Sequence, residues 1–286
     1  KIIKDEVQEV KKKYGDKRRT AVINAPLEAF SEEDLVPEEK AIITLSSGGY
    51  IKRLPPSTFQ KQRRGGKGLI GSDVAEEDFL TQFFTASTHD NVLFFTDRGR
   101  VFQTKVHEIP PASRTAKGKA IHGFLELPAS EKISAIVSYK TNKEKKIDKQ
   151  YIVMMTKAGL VKKTRAADFE NIRRTGIIAI VLKKGDLLKW VRLSTGDDQI
   201  ILATKHGQAI RFKESQIRAM GRGASGVKAI KLGSGDEVAG FDIIRTSEEL
   251  GAKSKLPDAS SLALSAKQFL VVTEKGFAKQ TPLKEY

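Results

Sequence analysis

Gln62 to Gly68 reads QRRGGKG, three cations set around two adjacent glycines. No carboxylate occurs between Ser46 and Gly71, so this charge meets no counter-ion nearby in the sequence. Adjacent glycines let the backbone turn tightly and aim successive amides at one spot, which attracts an anion such as a phosphate. Arg63, Arg64 and Lys67 would add charge-assisted hydrogen bonds to it. A glycine-rich surface loop with solvated charges has the same composition, so the stretch alone leaves both readings open. Other chemistry finds little support. The chain has no cysteine, which excludes disulfides and thiolate-bound metals. Its four histidines are scattered, with no HExxH-type spacing for a metal. RRGGKG lacks the GxxxxGK[ST] frame of a nucleotide-binding loop. Tyr14, Tyr50, Tyr139, Tyr151 and Tyr286 adjoin no group that would make one of them a nucleophile.

The formal net charge of +16 points to a polyanionic partner. Aromatic residues make up only 7%, which argues against a surface that stacks unpaired bases along its length. With 39% hydrophobic and 30% charged residues, the 286-residue chain reads as a soluble protein with a sizeable core. No apolar run approaches the ~20 residues of a membrane span. The first residues are charged, unlike a signal peptide, so a cytoplasmic location is expected.

The elements that must position these cations follow from a repeat. Five segments align on a glycine: ITLSSGGYIKR at Gly49, LFFTDRGRVFQ at Gly99, VMMTKAGLVKK at Gly159, ILATKHGQAIR at Gly207 and LVVTEKGFAKQ at Gly276. Each places an apolar run, Ser or Thr, two variable residues, Gly and a second run in that order. This is the pattern of a β-hairpin with glycine where φ must be positive. The glycines are 50, 60, 48 and 69 residues apart, and a repeat of this size changes the expected fold. Further strands are predicted at 132–139, 187–193 and 237–244. About four strands per repeat imply small sheets arranged radially, an all-β propeller-like fold. Clear helices are few, the main one expected at the start, where Ile3, Val7, Val10 and Tyr14 share one face and Gly15 ends the element. SEEDLVPEEK (31–40) and SDVAEEDFL (72–80) read as acidic connectors with a short helix each, and 141–149 and 247–261 as solvated loops.

Charge follows the same period. Residues 46–71, 97–124, 156–176 and 204–231 carry net charges of +6, +4, +4 and +6, which leaves the remaining residues net acidic. A solvated surface would mix the signs. In a circular array, one basic stretch per repeat means one basic rim, matched to the regularly spaced phosphates of a duplex. Such a rim would bend DNA without reading bases. The candidate DNA contacts are Gln62, Arg63, Arg64, Gly65, Gly66, Lys67 and Gly68 in the first stretch, and Arg114, Lys117 and Lys119 in the second. Lys162, Lys163, Arg173 and Arg174 follow in the third, and Arg211, Arg222 and Lys228 in the fourth. Gly118 and Gly226 lie at the same offset from their turn glycines as Gly68 from Gly49, and Gly176 lies two residues nearer.

QRRGGKG resembles the signature box of the C-terminal domain of the bacterial DNA gyrase A subunit. YGDKRRT (14–20), THDNVLFFTDRGRVF (88–102) and RFKESQIRAMGRGASGVKAIKLG (211–233) resemble that domain as well. The resemblance covers essentially the whole chain. It implies a β-pinwheel of five to six four-stranded blades that exchange strands with their neighbours, spanning residues 21–286, with residues 1–20 as the end of a helix and a linker from a preceding domain. It also implies that duplex DNA is bent around the rim, that the box is needed for wrapping, and that wrapping enables negative supercoiling. The fragment itself would be non-catalytic and hold no cofactor, since ATP and Mg²⁺ would serve other parts of an A2B2 enzyme in the bacterial cytoplasm, at the nucleoid. Five hairpins against the family's usual six blades suggest that a final part is missing. The related component of topoisomerase IV is the nearest alternative, and the intact box speaks against it. A protein-binding propeller is disfavoured because the one tryptophan, Trp190, is not in a WD pair.

Overall fold

The computed structural model describes residues 1–16, 35–58, 78–139, 150–170, 172–245 and 268–285. The QRRGGKG stretch and the domain boundary expected at residue 20 lie outside them. The chain falls into two compact units, Lys1–Pro37 and Glu38–Tyr286. In the first, α1 (Ile2–Tyr14) carries Asp5 in its first turn and Lys11, Lys12 and Lys13 in its last, a charge order that complements the helix dipole. Ile3, Val7, Val10 and Tyr14 are all largely exposed. Gly15 ends the helix as expected, its N–H donating to the Lys11 carbonyl at 2.9 Å, although in an extended conformation and not a left-handed one.

The second unit is built from the repeats. The first contributes β1 (Lys40–Ser46), β2 (Tyr50–Leu54) and β3 (Leu80–Ser87). The second contributes β4 (Asn91–Thr96), β5 (Arg100–Lys105), β6 (Lys119–Ala120) and β7 (Ile133–Tyr139). The third contributes β8 (Tyr151–Thr156), β9 (Leu160–Arg165), β10 (Ile177–Ile178) and β11 (Leu188–Ser194). The fourth contributes β12 (Gln199–Thr204), β13 (Ala209–Lys213), β14 (Val227–Lys228) and β15 (Val238–Ile244), and the fifth β16 (Gln268–Val272) and β17 (Ala278–Pro282).

All five glycines sit in the turns of equivalent hairpins, with φ between 78° and 85°. The Ser or Thr three residues earlier explains the rest of the pattern. Its carbonyl accepts the glycine N–H, as in Thr96 to Gly99 at 3.0 Å, and its hydroxyl accepts the next N–H, as in Thr96 to Arg100 at 3.1 Å. Ser46, Thr156, Thr204 and Thr273 repeat the hydroxyl bond.

Sheet order is β3-β1-β2-β6, β10-β5-β4-β7, β11-β8-β9-β14, β13-β12-β15 and β16-β17. The pairings recorded within them are antiparallel throughout. Three sheets are thus completed by a two-residue strand from the following repeat. β6 pairs with β2, β10 with β5 and β14 with β9. The inner strands read as unbroken apolar runs because they are buried on both faces. Val92 and Phe94 join a core with Ile43 and Leu45 of the first sheet, while Leu93 and Phe95 pack with Ile152 and Met154 of the third. Val153 and Met155 then meet Ile200 and Leu202, and Ile201 lies in a smaller cluster with Phe269.

Two expectations change. Leu80 begins a strand, β3, whose alternately exposed side chains extend the sheet directly from the end of the second acidic connector. Lys40 likewise opens β1, at the end of the first.

Candidate nucleic-acid interface

The described connectors between the second and third long strands of the second, third and fourth repeats carry many of the candidate cations, and their course is fixed by the preceding sheet. In the second repeat, Arg53 N–H donates to the Pro110 carbonyl and Ala112 N–H to the Arg53 carbonyl. Lys52 Nζ donates to the carbonyls of Arg114 and Ala116 at 2.7 and 2.8 Å. Gly118, at φ 92°, then passes so close to β2 that a Cβ would lie 2.6 Å from the Ile51 carbonyl oxygen. Gly226 repeats this against Val161 at 2.5 Å. These glycines are needed for close approach, and they deliver the exchanged strands to their partners.

The connectors present exposed cations. Lys117, Lys119, Arg173, Arg174, Arg222 and Lys228 are exposed, and Arg114 is half-buried. Lys117 Nζ lies 4.2 Å from the centre of the Tyr50 ring. The third and fourth connectors meet, with Val181 N–H donating to the Ala224 carbonyl at 3.2 Å.

Two candidates are corrected. Lys162 and Lys163 lie on β9, which is covered on both sides, and neither ammonium is open to a phosphate. Lys162 is fully buried and donates to the carbonyls of Ala179, at 2.6 Å, and Arg222. It holds the fourth connector as Lys52 holds the second. Lys163 is paired at 2.9 Å with Glu214, which also accepts from Ser194 Oγ and from the amides of Gly196 and Asp198. Arg211 is half-buried and donates to the Leu283 carbonyl. Buried charges survive only when paired in this way.

Sequence reading missed Arg98 and Arg218, both exposed, and a regular set of acids. Asp78, Glu131, Asp186 and Asp236 each stand two residues before the third long strand of their repeat. Asp78, Asp186 and Asp236 accept the N–H of the residue just before the turn glycine, at 2.8 to 3.0 Å. Hydrogen bonds from Ser46 and Ser47 and from the Gly48 amide hold the Asp78 carboxyl down at about 2. These acids brace the turns; a D or E at that recurring offset was the available signal.

Two outcomes test these buried groups. Burial pushes Lys162 from 10.5 down to about 8, with Arg222 adding to the effect and Asp168 opposing it. Between about pH 8 and about 10.4 the unfolded chain therefore binds more protons, so stability rises with pH there, by up to ~3 kcal/mol. Urea unfolding across this range will show the rise, and Lys162→Met will remove it. Glu214→Ala strands the Lys163 charge and will cost about 3–5 kcal/mol in the same measurement at neutral pH.

Comparison with known proteins matches this repeat structure. The family profile described as DNA gyrase C-terminal domain, beta-propeller, matches residues 40–87, 90–138, 150–195, 198–245 and 267–286, one stretch per repeat. The chain is 43% identical over 285 residues to the DNA gyrase A subunit of Staphylococcus epidermidis (strain ATCC 12228 / FDA PCI 1200) and 41% identical to that of Staphylococcus aureus (strain NCTC 8325 / PS 47). Each comparison covers 100% of this chain and 30% of the relative, so the chain spans under a third of those proteins. Among solved structures, a C-terminal domain of DNA topoisomerase IV aligns with a TM-score of 0.65 at 24% identity, over 88% of this chain and 70% of that one. A DNA gyrase A C-terminal domain aligns at 0.61 and 24%, over 85% and 71%. At these identities the structural likeness speaks for the fold, which is that of the β-pinwheel domains.

Proposed function

The chain belongs to the DNA gyrase C-terminal domain family, and on that premise we propose that its sheet-forming part, within residues 21–286, binds duplex DNA largely without regard to sequence and bends it around a basic rim. The observation that carries this reading is the placement of exposed cations on successive connectors, each tied to the sheet before it. Lys117 and Lys119, Arg173 and Arg174, and Arg222 and Lys228 recur at related points of three repeats. A periodic stripe of one sign suits a polymer with evenly spaced negative charge. The identities of 41–43% to gyrase A subunits favour gyrase over topoisomerase IV as the parent.

In that setting residues 1–20 lead from a preceding domain of the gyrase A polypeptide, and the parent is a bacterial cytoplasmic A2B2 enzyme completed by gyrase B. The domain makes and breaks no bond. It supplies geometry, since a wrapped segment reaches the distant cleavage site with a fixed crossing sign. ATP and Mg²⁺ act elsewhere in the enzyme. The QRRGGKG box, Gln62 to Gly68, belongs to this proposal from its sequence.

Binding to several unrelated linear duplexes, measured against salt, tests the reading. Arg173→Ala, Arg174→Ala and Arg222→Ala will each lower the slope of log affinity against log salt by about one unit. Their melting temperatures will scarcely move, because exposed charges contribute little to stability. Lys162→Met will do the reverse and change stability while leaving the slope intact. Equal slopes in all four variants, or strong preference for one sequence, would contradict the proposal.

A further inference from the structure

An open cleft of about 880 Å³ lies where three repeats meet. Arg98 and Arg100, from the second hairpin, form one side, and Arg222 and Gly223 of the fourth connector another. Its floor is the exchanged strand of the third repeat, Ile177 and Ile178. Arg100 is held in place, donating to the Thr175 carbonyl, lying 3.8 Å from Glu131 and stacking 5.6 Å from the Phe102 ring centre. Arg98 and Arg222 are exposed. Gly223 adds no bulk, as a Cβ there would meet nothing within 4 Å.

Among the described exchanged strands the unusual residue is Ile178. The three exchanged strands pair in one register, with Ala120 opposite Tyr50, Ile178 opposite Arg100 and Lys228 opposite Leu160. At this position the second repeat has a methyl group and the fourth an ammonium. Among these described strands only that of the third repeat has a large apolar side chain there, and it is 57% exposed between arginines. Val181, 42% exposed, follows on the same connector.

We propose that this cleft grips the minor groove of the duplex and that Ile178 is the wedge that localises a kink there. The inference rests on the reading of the domain as a DNA-bending module. Apolar side chains flanked by arginines open base steps in this way, kinking a duplex by about 20–90°. Arg98 and Arg222 take the phosphates on the two sides of the groove. Glu131, buried with its Oε2 lacking a hydrogen-bond partner, lies beneath Arg100 and keeps the anionic backbone on the Arg98 and Arg222 side. Bending around the rim is then sharpest at the junction of the second, third and fourth repeats.

The decisive variant is Ile178→Lys. It adds a positive charge, and Lys228 shows that the exchanged strand accepts lysine in this register. If only charge mattered, it would bind and bend DNA at least as well. The proposal predicts the opposite for bending. End-to-end energy transfer on a short linear duplex bound by the full 286-residue chain will report a bend smaller by at least about 20°, with affinity equal or higher. Ile178→Ala will lose bend as well, without the gain in charge. Arg98→Ala combined with Arg222→Ala will lower the salt slope by about two units. An unchanged or larger bend in Ile178→Lys overturns the wedge. A duplex left straight by the unaltered chain overturns the bending function itself, and the two failures are told apart by that control.

Discussion

With Arg63, Arg64 and Lys67 all replaced by alanine, supercoiling by the parent enzyme will be lost while binding to linear duplex stays within about tenfold. The exposed connector cations Lys117, Lys119, Arg173, Arg174, Arg218, Arg222 and Lys228 all lie outside the box, so most phosphate contacts survive. Bending is the more demanding step, costing on the order of 1–6 kcal/mol for 40–90° over 20–30 base pairs. A bend held at some points springs back when one end is released. By its sequence the box falls in the first repeat, which on the proposed function follows a preceding part of the gyrase A polypeptide, and in this account it clamps an end of the wrapped segment. On the proposed function the cleavage site lies elsewhere in the parent enzyme, so relaxation and decatenation will persist. Gel assays of supercoiling and relaxation on one preparation check this; normal supercoiling by the triple variant would reduce the box to another basic loop.

Raising salt from 50 to 200 mM will weaken binding of the unaltered chain by roughly 10³–10⁵-fold, as expected for six to ten neutralised phosphates. The exposed cations of the described turns and connectors supply that many. Among them are Arg98, Lys117, Lys119, Arg173, Arg174, Arg218, Arg222 and Lys228. Fluorescence anisotropy on a labelled duplex will give the slope directly. A flat salt response would mean that these charges do not face DNA.

The hairpins were legible because their turn is written locally. Ser or Thr, two residues and Gly encode two hydrogen bonds and one positive φ, as Thr156 and Gly159 show. The third long strands at β7, β11 and β15 were legible as apolar runs, within a residue or two of their bounds. β3 was not, because LTQFFTAS is half exposed and adjoins an acidic stretch. The exchanged strands were invisible in detail, since two residues carry no period and their partners lie in the preceding repeat. Lys162 and Lys163 were misjudged for a related reason. A lysine on a strand looks solvated until the sheet is known to be covered on both faces, and the carbonyls that receive Lys162 belong to connectors distant in sequence. Arg173, Arg174 and Arg222, on connectors where charge and glycine coincide, were placed correctly on the surface.

The central claim is that this chain changes the path of DNA, and linking number measures that most directly. A nicked circle is incubated with the 286-residue chain, sealed by ligase with the protein bound, stripped of protein and resolved by gel electrophoresis. The account predicts topoisomers shifted away from those of naked DNA, by an amount that grows with protein per circle. A distribution identical to that of naked DNA at saturating protein would contradict it.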